Sequence, residues 1–598
     1  MSCQQEIIKK FCSSHLDHEV HIPKIRSTLY VKSLKTFQEL HEKPSVDTLY
    51  DYAKKYSNVL KDQIQSVEKY YGTEATKERH MYQQLERIWD LCQILYFPEP
   101  AQVDTETLLM DWYNNAYKPY LFEFDRQSIF FCKSTFDHPD FWPYAIRLIL
   151  FGRLEQLSIL FSHVLKDTEF QLHWDLLEFM QCLKELTCHG IQHLKSQHTE
   201  LQQLLSRLCH IQNSSHAENL KDVVSLLMGD EKVTLQYAKD DIQAFISSRF
   251  YQKDEKTKSI HDDANFFFKK HGNGDASIRL FLEGRVYEAT EACAEYDWWL
   301  IAHLADLLNM KDMMNRSLYY TLEDGTTLTM GAREYFILTY ASNLNNQFGL
   351  WEESFTYLMT CGEIGKAAVI EHLRNMDFQN DDKKLNDVVN FCIEYSMKND
   401  GLVLFEEKAS RCLESKQYKQ ALEYYSQAGK YQYLDHVFNS VLEDFIHTGQ
   451  LYDIRSFAHT NDYKGIHYLI YRDIWHINAL FSLDKYQEAA DTFKALLSYD
   501  CIPRLMMPVI FAEGWKIIDR RVHFNLNDLL IMKSMCQDLW KLYKPEDFGW
   551  YHYYKCNGYN SDGNDGDITN DVLTQDMSEF FDTASIIITR AIDVFEKS

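Results

Sequence analysis

Residues that break helices and turn strands are scarce in this chain. It has 21 glycines and 10 prolines in 598 residues, near half the usual share of roughly 12%. An all-β sandwich needs both residue types at its frequent turns, and a doubly wound α/β protein needs glycine in its ligand loops. Neither need is met, so the chain is predicted to form long helices joined by short links. It also exceeds the roughly 250–300 residues at which single cores stop growing, so it must divide into domains or extend as a stack. With 45% hydrophobic and 25% charged residues, disorder is excluded as the main state.

The helical period is explicit. Leu154, Leu157, Ser158 and Phe161 fall at i, i+3, i+4 and i+7. So do Val286, Ala289, Thr290 and Cys293; Tyr418, Ala421, Leu422 and Tyr425; and Tyr486, Ala489, Ala490 and Phe493. Each set puts one stripe of a helix against a neighbour, and its small residues let that neighbour approach closely. Two sets are introduced alike, by Gly152-Arg153-Leu154 and Gly284-Arg285-Val286. A glycine after an apolar helix can take the left-handed conformation that ends it, giving helix, tight turn, helix. The sets start at 154, 286, 418 and 486, spacings of 132, 132 and 68. These approach multiples of the 34-residue tetratricopeptide unit, but the intervening positions mostly lack the pattern. An irregular stack of helical hairpins is the better reading.

Breaks fall at 213–216, 252–263, 271–274 and 377–384, and the longest, 557–571, is rich in Asn, Asp and Gly. Beyond it, residues 580–595 resume a helix carrying Ile586, Ile587, Ile588 and Ile592. Residues 121–124 and 128–131 are compatible with short strands or with a loop packing its phenylalanines. Asp324-Gly325 lies between polar Thr and Glu, which favours a turn between helices over a hairpin.

Chemistry is sought without success. The 62 Lys and Arg face 88 Asp and Glu, a net charge of −26, which phosphate backbones would repel, so direct nucleic-acid binding is disfavoured. There is no GxxxxGK[ST] and no GxSxG. Asp240-Asp241, Asp262-Asp263 and Asp381-Asp382 do not complete a DDxxD magnesium motif and read as helix ends. Cys182, Cys188, His189, His193 and His198 share one segment, but a long helix cannot wrap four ligands round one zinc ion. The acidic loop beginning at Asp562 fails the calcium-loop spacing. The fourteen cysteines are scattered without CxxC, and no signal peptide or stretch of about 20 apolar residues is seen. These features predict reduced thiols in cytosol or nucleus and no transmembrane span. No catalytic residue, cofactor or metal site is assigned. An enzyme is the third-ranked class, behind a scaffold and a cytoplasmic vesicle-coat or tetratricopeptide-like adaptor.

Particular residues then carry a resemblance. The run Asp297-Trp298-Trp299-Leu300-Ile301-Ala302-His303-Leu304-Ala305-Asp306-Leu307-Leu308 resembles a segment of the nucleoporin 85 family. Blocks in the same order include 87–95 (RIWDLCQIL), Phe141-Trp142 with 148–154, and 333–342 with Leu350-Trp351. Tyr486-Gln487-Glu488-Ala489-Ala490 with Leu496-Leu497, and 588–592 (ITRAI), complete the order. The most specific part is Trp298, Trp299, Ala302, His303 and Leu304. Two adjacent tryptophans point to different sides of one helix, so that helix should be buried nearly all round, with His303 a satisfied interior histidine rather than a catalyst.

The resemblance implies an all-α, irregular α-helical solenoid of the folded-back ancestral coatomer type. Its approximate segments are N-terminal trunk helices at 1–140, crown-like helices at 141–260, returning trunk helices at 261–410 and a C-terminal tail at 411–598. It further implies a structural scaffold subunit of the outer-ring, Y-shaped coat of the nuclear pore complex at the nuclear envelope. That subunit would support pore assembly, nucleocytoplasmic transport and mRNA export. Other Y-complex nucleoporins would meet the tail at the hub, for which Phe580, Ile587, Ile588 and Ile592 are the candidate residues. Family members also lend a β-propeller nucleoporin a blade from an N-terminal β-rich segment. Here residues 4–11 read as helix and the blade strands have no evident counterpart, so the chain is truncated, or the propeller docks differently, or it is absent.

Overall fold

The computed structural model describes residues 24–542, apart from 72–75, 100–103, 117–125, 168–173, 212–214, 254–258, 273–275, 322–326, 379–380, 449–450, 455–464, 500–501, 504–505 and 519–523, together with 586, 588–590 and 592. Helices dominate the described residues, making the chain an all-α solenoid. The strands described there form one two-stranded hairpin. The chain divides into two compact units, 1–375 and 376–598.

The first unit folds back on itself. Helices Lys24–Glu42, Leu49–Tyr71, Thr76–Tyr96 and Thr105–Ala116 each pack on the next. The return begins where Asp241–Tyr251 packs on Thr105–Ala116. Ala276–Leu282 and Trp298–Asn309 then pack on Thr76–Tyr96, and Trp351–Met359 packs on Lys24–Glu42. Partners thus come in reverse order, and two arms of the chain share one core. The helices from Phe141–Leu150 to Glu231–Tyr237 make the end where direction reverses. The second unit is simpler. From Asp382–Glu394 to Met507–Ile518, each described helix packs chiefly on its neighbour in sequence.

One joint recurs through both units. Gly152 is left-handed (φ +66°). Its N–H donates to Ile149 C=O (2.8 Å), and Arg153 N–H donates to Leu148 C=O (2.8 Å). This pair of bonds satisfies carbonyls that the helix end would leave open. Arg153 then turns (φ −87°, ψ 58°) and the next helix starts at Leu154. Gly284-Arg285 (φ +76° at the glycine) repeats the geometry before Val286–Ala292. So do Gly349-Leu350 before Trp351–Met359, Lys416-Gln417 before Tyr418–Gln427, and Asp484-Lys485 before Tyr486–Leu497. The fourth residue of each new helix (Leu157, Ala289, Ser354, Ala421, Ala489) is completely buried. The four apolar sets of the sequence are therefore four of these helices, each starting at the expected residue. The Trp351 copy and the uneven spacing agree with an irregular stack.

The Asp324-Gly325 turn is a correction. Ser317–Thr321 and Thr327–Gly331 on either side of it are antiparallel strands, with Leu318 opposite Met330. Their runs of Thr, Tyr and Leu suit a pleated surface, and that preference outweighs the polar residues beside the dipeptide. Asp324 and Gly325 themselves lie outside the described residues. Residues 126–130 form a short helix rather than a strand, and 121–124 lie outside the described residues.

Two substitutions at the joints have opposite expected signs. Ser396 carries the same left-handed turn (φ +61°) without being glycine. Ser396→Gly should raise unfolding free energy by about 0.5–1 kcal/mol by removing that backbone penalty, net of the freedom glycine adds to the unfolded chain. Gly152→Ala should lower it by about 1–2 kcal/mol, since the new Cβ would also meet Met110 Cγ at 3.0 Å and Phe250 Cε1 at 3.3 Å. Urea unfolding of the two variants beside the parent chain checks both.

Candidate functional site

Helix Trp298–Asn309 (WWLIAHLADLLN) has one formally charged residue, Asp306. The Asp297 carboxylate caps it by accepting Trp299 N–H (2.7 Å), a typical N-terminal device. With apolar side chains on every face, it must be enclosed to be stable. Every residue from Trp299 to Leu308 is buried, including Ala302, His303 and Leu304, and Trp298 is half-buried. The enclosing wall comes from both arms. Trp89 stacks near Trp299 (ring centroids 5.4 Å) and Tyr56 lies against His303 (4.7 Å). From the returning arm, Tyr357 and Tyr340 approach the same imidazole (5.6 and 5.5 Å), and Phe37 of the first helix packs on Tyr357 (4.3 Å).

The Trp299 indole and the His303 imidazole in this core are fully bonded. Trp299 Nε1 donates to Ser33 Oγ (2.8 Å), and Ser33 donates onward to Leu29 C=O (2.8 Å). His303 Nδ1 lies 2.7 Å from Trp299 C=O and Nε2 lies 2.8 Å from Tyr357 Oη. A carbonyl can only accept, so Nδ1 carries the proton and Nε2 accepts from the tyrosine. Burial holds this imidazole down to about 4, against the smaller opposing pull of its bond to Trp299 and of Asp306. His303 is therefore neutral and doubly bonded, with no free nitrogen for proton transfer.

Asp306 is bound by a guanidinium and an imidazole. Arg333 Nε donates to Oδ1 (2.7 Å), and His41 Nε2 approaches Oδ2 (3.0 Å). The rest of the guanidinium donates to Thr360 C=O (3.2 Å) and Oγ1 (3.1 Å). Burial alone would push the carboxyl up, but Arg333 and His41 outweigh it and hold Asp306 below its ordinary range. One carboxylate thereby ties together residues 41, 306 and 333. This knot is the part the sequence did not disclose. The one signal was an acid inside a solidly apolar helix, and only a fold could supply its partners.

The other candidates fall elsewhere. Ile588 and Ile592 are buried (1% and 8% exposed), while Ile586 beside them is 49% exposed. Phe580 and Ile587 lie outside the described residues, as do residues 4–11 and the acidic loop at 562. In the cysteine–histidine segment, Cys182 Sγ donates to Glu200 (3.3 Å), and the His189 and His193 rings sit 4.9 Å apart. Among the described residues no three His, Cys, Asp or Glu side chains converge as metal ligands, and no helix is long and apolar enough to cross a membrane. Asp240 and Asp381 do cap helices, by accepting the N–H of Gln243 and of Lys384. Asp241 is buried, and Asp263 pairs with Arg249.

The depressed His303 pKa predicts acid sensitivity. At pH 7 the ring is neutral in both folded and unfolded chain, so its contribution is complete. As pH falls below the unfolded value of about 6.5, the unfolded chain takes up a proton that the folded chain excludes until about 4. Stability should therefore fall by about 2 kcal/mol from this group between pH 7 and pH 5. Urea unfolding at both pH values should show that loss shrink in His303→Gln. The tyrosines should behave unlike each other. Tyr357→Phe strands the His303 acceptor and should cost about 1–3 kcal/mol. The Tyr56 hydroxyl, buried without a hydrogen-bond partner among the described residues, should be removable by Tyr56→Phe at no cost or with a gain, as thermal unfolding of the pair will read.

Comparison with known proteins accords with this architecture. The sequence pattern of the family described as Nup85 Nucleoporin matches residues 14–535. The mouse (Mus musculus) nuclear pore complex protein Nup85 is 20% identical over 559 residues, covering 86% of this chain and 81% of the relative. The bovine (Bos taurus) protein of the same name is 21% identical over 457 residues, covering 71% and 67%. Nucleoporin nup85 of Schizosaccharomyces pombe is 22% identical over 382 residues, covering 59% and 55%. The family match spans most of the described solenoid, including the Trp298–Asn309 helix and all five joints, and the chain belongs to the Nup85 nucleoporin family.

Proposed function

We propose that this nucleoporin is a non-catalytic scaffold subunit of the outer-ring, Y-shaped coat of the nuclear pore complex, where it supports pore assembly, nucleocytoplasmic transport and mRNA export. Family membership makes the chain a nuclear pore complex component at the nuclear envelope. The observation that carries the scaffold reading is the shared core of the first unit. Residues 41, 306 and 333 meet in one buried knot, so the two arms cannot slide or splay without breaking it. A strut needs such fixed internal distances. In this reading the 1–140 and 261–410 helices are the trunk, 141–260 the crown and 411–598 the tail. The tail meets other Y-complex nucleoporins at the hub, with Ile588 and Ile592 supporting the contact face from beneath. A β-propeller nucleoporin is the partner proposed for the N-terminal end.

Tagging the native protein and imaging it tests the reading. A punctate nuclear rim is expected, and a diffuse cytosolic signal would overturn it. Purification of the tagged protein should recover other outer-ring nucleoporins, and would show whether a propeller accompanies them. Deleting residues 571–598 should reduce that recovery while leaving the first unit folded. Undiminished recovery would overturn the role given to the tail.

A further inference from the structure

The first helix, Lys24–Glu42, presents a repetitive face to its neighbours. Leu29, Ser33, Phe37 and His41 follow one another at four-residue intervals, with Leu40 beside them. Apolar packing alone reads such a face poorly. A slip of one turn, about 5.4 Å, would carry Phe37 toward the place of Ser33 or of His41 and still bury apolar surface. The ring contacts of Phe37 with Tyr357 and His303 (4.3 and 6.3 Å) are not directional enough to forbid it.

Two contacts on that face are directional. Ser33 Oγ receives the indole N–H of Trp299 (2.8 Å) and His41 Nε2 meets the carboxylate of Asp306 (3.0 Å). The pegs are eight residues apart on the first helix, about 12 Å, and their sockets are seven residues apart on Trp298–Asn309, about 10.5 Å. Earlier residue meets earlier and later meets later, so the two helices run in the same direction and the spacings match to about one residue's rise. A one-turn slip in either direction breaks both pegs at once. It leaves a buried indole N–H unpaired and deprives a buried carboxylate of one partner.

We infer that Ser33–Trp299 and His41–Asp306 together set the register in which the first helix docks on the returning arm, whereas the apolar face supplies most of the docking free energy. The inference concerns the folded chain itself and does not depend on its place in the pore. It accords with buried polar groups fixing register at little gain in stability. Replacing His41 still leaves Asp306 its guanidinium partner, Arg333, which lies at 2.7 Å in the parent chain.

The test uses the full chain labelled with 5-fluorotryptophan, with the Trp299 resonance assigned through Trp299→Phe. The parent, the single variants Ser33→Ala and His41→Leu, and the packing control Leu29→Ala should each give one Trp299 fluorine peak. Ser33→Ala/His41→Leu should give two or more peaks, or one broadened by exchange, at a thermal midpoint no lower than that of Leu29→Ala. The number of peaks is the readout, since losing one bond merely shifts a single peak. One sharp peak in the double variant would overturn the inference, because packing would then suffice to set register. Failure of the double variant to fold where Leu29→Ala folds would also overturn it, because the pegs would then supply stability.

Discussion

A carboxylate inside an apolar core is tolerated only if hydrogen-bond donors and a countercharge meet it, and Asp306 draws both of its partners, the Arg333 guanidinium and the His41 imidazole, from other stretches of sequence. Its helix would otherwise be a plain hydrophobic rod able to pack in many ways. His41 lies 265 residues before Asp306 and Arg333 lies 27 after it. The knot therefore joins the first helix of the outgoing arm to two helices of the returning arm. Taking such charges out of water costs several kcal/mol per ion, which the short ion pairs roughly offset. The contribution of the knot is then less to net stability than to which arrangement is stable. The aromatic cluster of Tyr56, Trp89, Trp299, Tyr340 and Tyr357 supplies the burial, and Ser33, the Ala53 carbonyl and His303 pair the polar atoms of Trp299, Trp89 and Tyr357.

The recurrent joint explains how the chain reaches that point. Each left-handed residue closes one helix with two backbone bonds, and the next helix begins two residues later with a wholly buried fourth position. Little chain is needed per reversal, which is why so few glycines and prolines suffice. Where glycine is absent, as at Lys416 and Asp484, neighbouring contacts hold the turn. Lys416 reaches Asp444 at 2.8 Å, and Tyr486 bonds the Asp484 carboxylate. Adjacent helices packed by such joints make a stack, and only contacts between distant residues can fold that stack back.

This division sets what could be read from the sequence. The all-α class, the four helix starts and the burial of the Trp299 helix follow from local period and from the left-handed glycines at 152 and 284. The joint at 416 was hidden because Lys carries no turn signature, and that at 484 because Asp is common in turns of every kind and does not by itself mark a left-handed one. The paired strands Ser317–Thr321 and Thr327–Gly331 were hidden because they are short and the residues between them are polar. His303 was legible as an interior histidine because it sits between apolar residues on a helix with two adjacent tryptophans. Ser33, His41 and Arg333 were not legible as the partners of Trp299 and Asp306. Each is an ordinary residue on an amphipathic helix, and nothing local says which of many polar side chains will meet across some 300 positions.

The two units consequently embody different physics within one chain. In the second, each helix depends mainly on its sequence neighbours, so the stack can yield locally and adapt along its length. In the first, loss of any contributor to the Asp306 core exposes polar atoms belonging to three separate stretches of chain. Opening either arm at this core therefore costs buried polar contacts on both. The contrast arises because distant stretches of the first unit meet through buried polar contacts, of which the Asp306 knot joins residues farthest apart in sequence.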